Sequence, residues 1–386
     1  MEFLPPSRYA HSSVAGGVTL RERVLRMPDF YIGSVKKRTQ KLWLLEGDRF
    51  THRKVRYVPG LLKIFDDILV YAADNKQRDL SMDTLRVDVD VAKCRISVYN
   101  SGGGIPIEFH REESVYVHEM IFGDLNNCYC KAEITGVKVA NIFSTEFIVE
   151  TADGPRQKKY KQVFSENMGN NSGPQISDYR KGVNWTMVTF KPDLAKFNMT
   201  NLEDDVVALM KKRVFDMAAI LGETVQVVFN GQKMPQHTDF TESAFLYVWL
   251  SPKGLHLPWI CEKVNDRWEV CVSLSGGQFQ QVSFVNKFAT AGGGTHVDYV
   301  TDLIVSNVLS SEVFGKYNLE KHDVKRHLWL FINVYMDNPT FDSPTKETLI
   351  TPQEDFGSKF RSSELATRLF PRSVTNLKKA SGRCNC

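Results

Sequence analysis

The chain has no apolar run of about eighteen residues, the length a helix needs to cross a membrane, so no membrane span is expected. Its first residues do not pass from a basic to an apolar stretch, so no secretory signal is expected there. It has no C-x-x-C pair. Its seven cysteines include two C-x-C pairs, Cys128 with Cys130 and Cys384 with Cys386, and no second half-site with nearby histidines follows. A structural zinc site is therefore not expected, and reduced thiols are. Strong charge of either sign is also missing. The formal net charge of +4 permits contact with phosphate or nucleic acid without demanding it. The local basic runs, Arg156-Gln157-Lys158-Lys159 and Lys211-Lys212-Arg213, are expected to be solvated faces. No internal repeat is present. What remains is ordinary for a globular chain of 386 residues: 42% hydrophobic and 24% charged, with room for two or three domains and a core of normal size.

Met1 to about Val18 mixes Pro, Ser and Gly without periodicity and is expected to be disordered. Gly60 to Asp79 predicts one amphipathic helix. Leu61, Ile64, Phe65, Ile68, Leu69, Ala72 and Ala73 recur at helical spacing, opposite Asp67, Tyr71, Asp74, Asn75 and Arg78. Strands are predicted at Leu85–Val89, Arg95–Tyr99, Glu146–Thr151, Tyr160–Phe164 and Trp185–Phe190. A helix follows at Asp204–Leu221, then a strand at Thr224–Phe229 ending in the hairpin signal Asn230-Gly231. Beyond a boundary near Ser251 to Pro258, strands are expected at Arg267–Leu274, Gln280–Val285 and His327–Tyr335. A flexible glycine joint at Gly292 to Gly294 is expected before a helix at Val297–Leu309. The pattern is α+β in two domains.

Taken alone, the chemistry of these segments is ambiguous. The polar helix face with Asp67 and Asn75 suits any surface helix. Tyr99-Asn100-Ser101-Gly102-Gly103-Gly104-Ile105-Pro106 brings backbone amides close to a ligand or simply makes a tight turn. Asp88-Val89-Asp90 imitates an acidic metal pair but reads as an exposed strand edge.

The order of the parts, a helix with an acid on its polar face followed by a strand and a G-x-G turn, resembles the Bergerat-type (GHKL) ATPase fold. Longer segments resemble the eukaryotic DNA topoisomerase II family, with wording similar to plant members, from about Leu20 to Ser358. They are Met27-Pro28-Asp29-Phe30-Tyr31-Ile32-Gly33-Ser34, Ala72-Ala73-Asp74-Asn75-Lys76-Gln77-Arg78-Asp79, Asn141-Ile142-Phe143-Ser144-Thr145-Glu146-Phe147, Gly293-Gly294-Thr295-His296-Val297-Asp298-Tyr299-Val300 and Thr345-Lys346-Glu347-Thr348-Leu349. The resemblance implies an ATPase α/β sandwich over residues 19–252 and a transducer domain with a ribosomal-protein-like βαβ fold over 253–358. A disordered start at 1–18 and a tail at 359–386 complete the division. It also implies ATP and Mg²⁺ as cofactors and DNA as partner. A dimer with a second copy or with an intact relative, and a nuclear location, follow from the same resemblance. Because the chain ends about forty residues after Lys346, it is not expected to cut and pass DNA unaided.

Carried over position by position, the resemblance puts the general base at Asp67, where the family has glutamate. It puts the magnesium-ligating asparagine at Tyr71, on the helix face shared with Asn75 and Arg78. The nucleotide-binding asparagine falls on Ser101, beside Asn100. The phosphate segment falls on Asn126, Asn127 and Cys128. The phosphate lid shrinks to the passage around Gly136 and Lys138. In the transducer, Pro344 replaces a glutamine before Thr345 and Lys346, the lysine implied to reach the γ-phosphate. Gly102 and Gly104 keep the turn, Ile105, Ile121 and Phe122 are placed to pack on adenine, and Thr186 matches a base-contacting threonine. The expectation is a nucleotide site impaired in hydrolysis; the alternative is a non-catalytic interaction module.

Overall fold

The computed structural model describes residues 18–125, 134–235, 239–250, 257–310 and 319–359. Asn126, Asn127 and Cys128 lie outside the described residues. Backbone packing divides the chain into two compact units: Met1–Lys41 with Lys54–Gln236, and Leu42–Arg53 with His237–Cys386.

The first unit is built on a nine-stranded sheet. Its strands run in the order Gln175–Asp178, Lys158–Ser165, Ser144–Asp153, Trp185–Pro192, Arg95–Ser101, Thr84–Asp90, Gln226–Phe229 and Gln232–Lys233, and Asn170–Asn171 pairs with Lys158–Ser165 from outside that path. The last two form the hairpin that Asn230-Gly231 signals. Both turn residues have positive φ, 47° and 75°, as a two-residue turn matching strand twist requires. Thr84–Asp90 lies inside the sheet, so Asp88-Val89-Asp90 is not a free edge. Past the end of Gln226–Phe229, the Asn230 side chain accepts the Val89 N–H at 2.6 Å and closes the gap.

A helix at Pro59–Ala73 packs on Arg95–Ser101 and Trp185–Pro192, and against helices Gly136–Ile142 and Asp204–Leu221. Pro59 fixes φ in its first turn. Gly60 follows because its amide donates to Ser34 O at 2.9 Å, and a Cβ would come within 3.0 Å of Ile32. The single helix predicted over Gly60–Asp79 is in fact two. The long one closes at Asp74, and a separate turn runs Asn75–Arg78. The apolar positions stop at Ala73, and the polar run from Asp74 to Asp79 carries no glycine or proline to mark the break.

Lys211-Lys212-Arg213 is not a solvated face. The Arg213 side chain is 5% exposed and bridges Asp66, at 2.6 Å, and Asp216, at 3.3 Å, while Lys212 meets Asp216 at 2.7 Å. The Arg213–Asp66 pair ties Asp204–Leu221 to the Pro59–Ala73 helix.

The second unit holds a five-stranded sheet in the order Trp259–Asn265, Trp268–Leu274, Leu328–Val334, Gln280–Val285 and Phe288–Ala289. Gln280–Val285 and Leu328–Val334 run parallel, and the helix Thr295–Ser310 lies between them in sequence, a βαβ crossover. Val300, Ile304 and Val308 of that helix share one core with Trp268, Leu330 and Ile332. Every residue of Leu328–Val334 is buried, as expected of a central strand covered on both faces. Cys261 and Cys271 stand opposite each other on paired strands, Cα atoms 4.0 Å apart, and are joined in a disulfide. The expectation of reduced thiols fails for this pair because the hairpin register, not sequence spacing, brings them together.

The glycine joint is likewise not a flexible link. Gly293–Gly294 forms a short parallel pair with Thr348–Leu349. Gly294 has φ +124°, and an added Cβ would collide with the Leu349 backbone. Gly294→Ala is expected to cost at least about 2 kcal/mol, from the backbone conformation alone. The thermal unfolding of this unit measures it.

Candidate functional site

The first unit contains a cavity of about 370 Å³, near the small end of ligand clefts. It opens where the Pro59–Ala73 helix, the short Asn75–Arg78 turn and the end of strand Arg95–Ser101 meet. Of the residues singled out in the sequence, Tyr71, Asn75, Arg78, Asn100, Gly104, Ile105, Ile121 and Thr186 line it. Asp79, Gly103, Pro106 and Val117 line it too; the first three appear in the sequence reading only within longer segments, and none was assigned a site role. Asp79 and Gly103 adjoin residues that were, which is the signal available.

The polar wall follows from hydrogen bonding. The Ser101 carbonyl has only lone pairs to offer, and the Asn75 and Asn100 side-chain NH₂ groups both donate to it at 3.1 Å. That leaves both amide oxygens as acceptors. Thr151 donates its hydroxyl proton to Trp185 O at 2.9 Å, so it accepts from Thr186, 2.7 Å away, and Thr186 presents lone pairs. Asp79 accepts the Gly103 N–H and two donors of Ser81. Those bonds, the Gly103 amide first, hold its carboxyl below the usual carboxylate range. The wall is thus rich in acceptors beside the apolar Ile105, Ile121 and Val117, a match for a flat heteroaromatic ring with an amino edge.

Gly102 turns at φ +88°, where a Cβ would press on Met82 and the Asp79 carboxylate. The turn therefore needs glycine for its own closure, and at least one amide is spent on Asp79. Ser101 Oγ donates to Asp83 at 2.7 Å and accepts the Thr84 N–H at 3.0 Å, which ties it to the neighbouring strand; it does not line the cavity.

Tyr71 occupies the wall where a metal-ligating amide is implied. Its ring meets Phe122 edge-on at 5.5 Å, so Phe122 backs the tyrosine and does not reach the cavity. The Arg78 guanidinium lies 5.3 Å from the Tyr71 ring centre, in cation–π range. The phenol oxygen is buried with the Arg78 guanidinium beside it. Burial raises its pKa, against the opposing pull of Arg78, so it stays a neutral phenol.

Asp67 does not line the cavity. It is 6% exposed, and its carboxylate pairs with Lys63 one turn earlier. Gly136, first residue of the Gly136–Ile142 helix, presses against it, and a Cβ there would collide with the carboxylate. Lys138 is buried on the same helix. Pro344, Thr345 and Lys346 belong to the second unit. There Lys346, at φ 57°, lays its ammonium over the Phe288 ring, 3.4 Å from its centre.

Among the described residues no cluster of three or more His, Cys, Asp or Glu is arranged to hold a metal. A magnesium ion prefers carboxylate and water oxygens. The cavity's one carboxylate is committed to Gly103 and Ser81, and Tyr71 offers a neutral phenol. At the position where the metal-ligating amide is implied, Tyr71 does not fit that ion.

The profile of the DNA gyrase B family matches residues 228–369. DNA topoisomerase 2 of Arabidopsis thaliana is 54% identical over 91% of this chain, and human DNA topoisomerase 2-alpha is 43% identical over 90%. The chain spans 26% and 23% of those two relatives, about a quarter of their length. The crystal structure of the ATPase region of Saccharomyces cerevisiae topoisomerase II superposes with a TM-score of 0.82 at 39% identity, over 94% of this chain and 96% of that one. The 43K ATPase domain of Thermus thermophilus gyrase B shares the fold at 19% identity, with a TM-score of 0.60.

Proposed function

Because the chain belongs to the family of topoisomerase II ATPase regions, we propose that it recognises an adenine nucleotide without hydrolysing it. The observation that carries this reading is the position of Asp67. A general base must come within hydrogen-bond reach of the attacking water, directly or through one more water. The Asp67 carboxylate is instead paired with Lys63 and pressed by Gly136. Recognition is supported by the acceptor-rich wall of Asn75, Asn100 and Thr186 beside Ile105 and Ile121. Glycine amides, the usual phosphate grip of such turns, are partly spent on Asp79.

In this reading the partners are DNA and a second copy of the chain or an intact relative, and the compartment is the nucleus. The module would then report nucleotide occupancy to a dimer gate without resetting it. Steady-state ATP turnover of the purified chain, with and without DNA, is expected to fall roughly 10²–10⁴-fold below that of an intact topoisomerase II ATPase region, the usual worth of a general base. Turnover equal to the intact region ends the proposal.

A further inference from the structure

We infer that the cavity takes a nucleoside mono- or diphosphate free of divalent metal, with Arg78 supplying the positive charge that the metal would bring. This rests on the adenine-nucleotide reading above and adds the phosphate class and the counter-ion.

Three observations converge. Tyr71 places a bulky neutral phenol on the cavity wall, its oxygen buried beside Arg78. Arg78 lines the same cavity, is exposed, and is paired with no carboxylate among the described residues; it lies beside the Tyr71 side chain. Asp79, beside it, is held by Gly103 and Ser81 and does not neutralise it. A guanidinium on a cavity wall, beside an aromatic ring and with no carboxylate partner among the described residues, is a phosphate handle: five donors in a rigid fork that meets phosphate oxygens in pairs. One guanidinium offsets one charge. Without a metal, a full triphosphate would leave most of its charge bare in the cleft, and a mono- or diphosphate is the better match. Magnesium in solution then competes with Arg78 for the phosphate instead of assisting it.

The test is calorimetric titration of the whole chain with adenosine, with ADP in excess EDTA, and with ADP in excess magnesium. Adenosine carries no phosphate and reports the base site alone. In EDTA, ADP is expected to bind at least about tenfold tighter than adenosine, consistent with a charge-assisted hydrogen bond. Magnesium is expected to leave that affinity unchanged or weaken it. Arg78→Met is expected to remove the difference between ADP and adenosine. Tyr71→Asn is expected to make ADP binding magnesium-dependent. Thermal melts confirm that each variant folds. If adenosine binds while ADP in EDTA binds no better, or magnesium tightens ADP binding to the unaltered chain, the inference is wrong and the base-site reading stands. If no ligand binds, both fall. Measurable ATP turnover overturns only the non-hydrolytic reading, because binding in EDTA is scored separately.

Discussion

Arg213→Ala is expected to lower the unfolding free energy of the first unit by about 3–5 kcal/mol, the usual cost of stripping one partner from a buried ion pair. Asp216 is fully buried and Asp66 is 13% exposed, and both lean on this guanidinium. Burial already raises the Asp66 pKa, and Arg213 is the largest opposing influence. Without it, two carboxylates face a core that gives them little solvation, and Lys212 remains beside Asp216. The loss should shrink as pH falls into the carboxylate range, because protonation relieves the unpaired charge. Urea denaturation at two pH values measures both effects. Asp66→Leu combined with Arg213→Met should recover part of the loss, since removing both partners leaves less bare charge than removing one. A deficit under about 1 kcal/mol for Arg213→Ala would show that the network contributes little.

Acid is expected to weaken both units through two buried histidines. His118, in the first, stacks on Tyr160 at 4.0 Å with neither ring nitrogen hydrogen-bonded, and burial lowers its pKa to about 3. His296, in the second, shares one hydrogen bond with Thr290, at 3.1 Å, and is lowered to about 3 by the same cause. The ordinary value is 6.5, so between pH 6.5 and about 3 the unfolded chain binds a proton that the folded chain refuses. Each histidine's share of stability is complete above pH 6.5 and declines as pH falls toward 3. At pH 4.5 the cost is about 2.7 kcal/mol per histidine, at 1.36 kcal/mol per pH unit. His118→Phe keeps a flat ring against Tyr160 and removes the proton site. Comparing its denaturation midpoint with that of the unaltered chain from pH 7 to 4.5 isolates the term from the carboxylates. Parallel curves over that range would show that His118 is not held neutral.

Local signals carried much of the fold. The helix Asp204–Leu221 and the strand Gln280–Val285 form at their predicted bounds, and Asn230-Gly231 makes its turn, because each depends on neighbours within a few residues. What escaped depends on distant partners. Arg213 and Asp66 are 147 residues apart, so a basic run looked solvated when it is a core tie. Cys261 and Cys271 meet only once a hairpin register exists. The candidate site was legible in part. Eight of the named residues share one cavity, since helix and strand periodicity set which way they face. The sequence also placed Asp67 on the polar side of its helix, but the lysine four residues earlier, an ordinary i,i+4 partner, turns that side chain into a buried pair.

That pair constrains what either position can become. Lys63 and Asp67 are both buried, so removing the charge of either alone strands the other in the core. A lengthened acid at 67 must also find room beneath Gly136, where space is already taken. Asp67→Glu keeps the charge that Lys63 meets, so its expected cost is crowding beneath Gly136 and not a stranded charge.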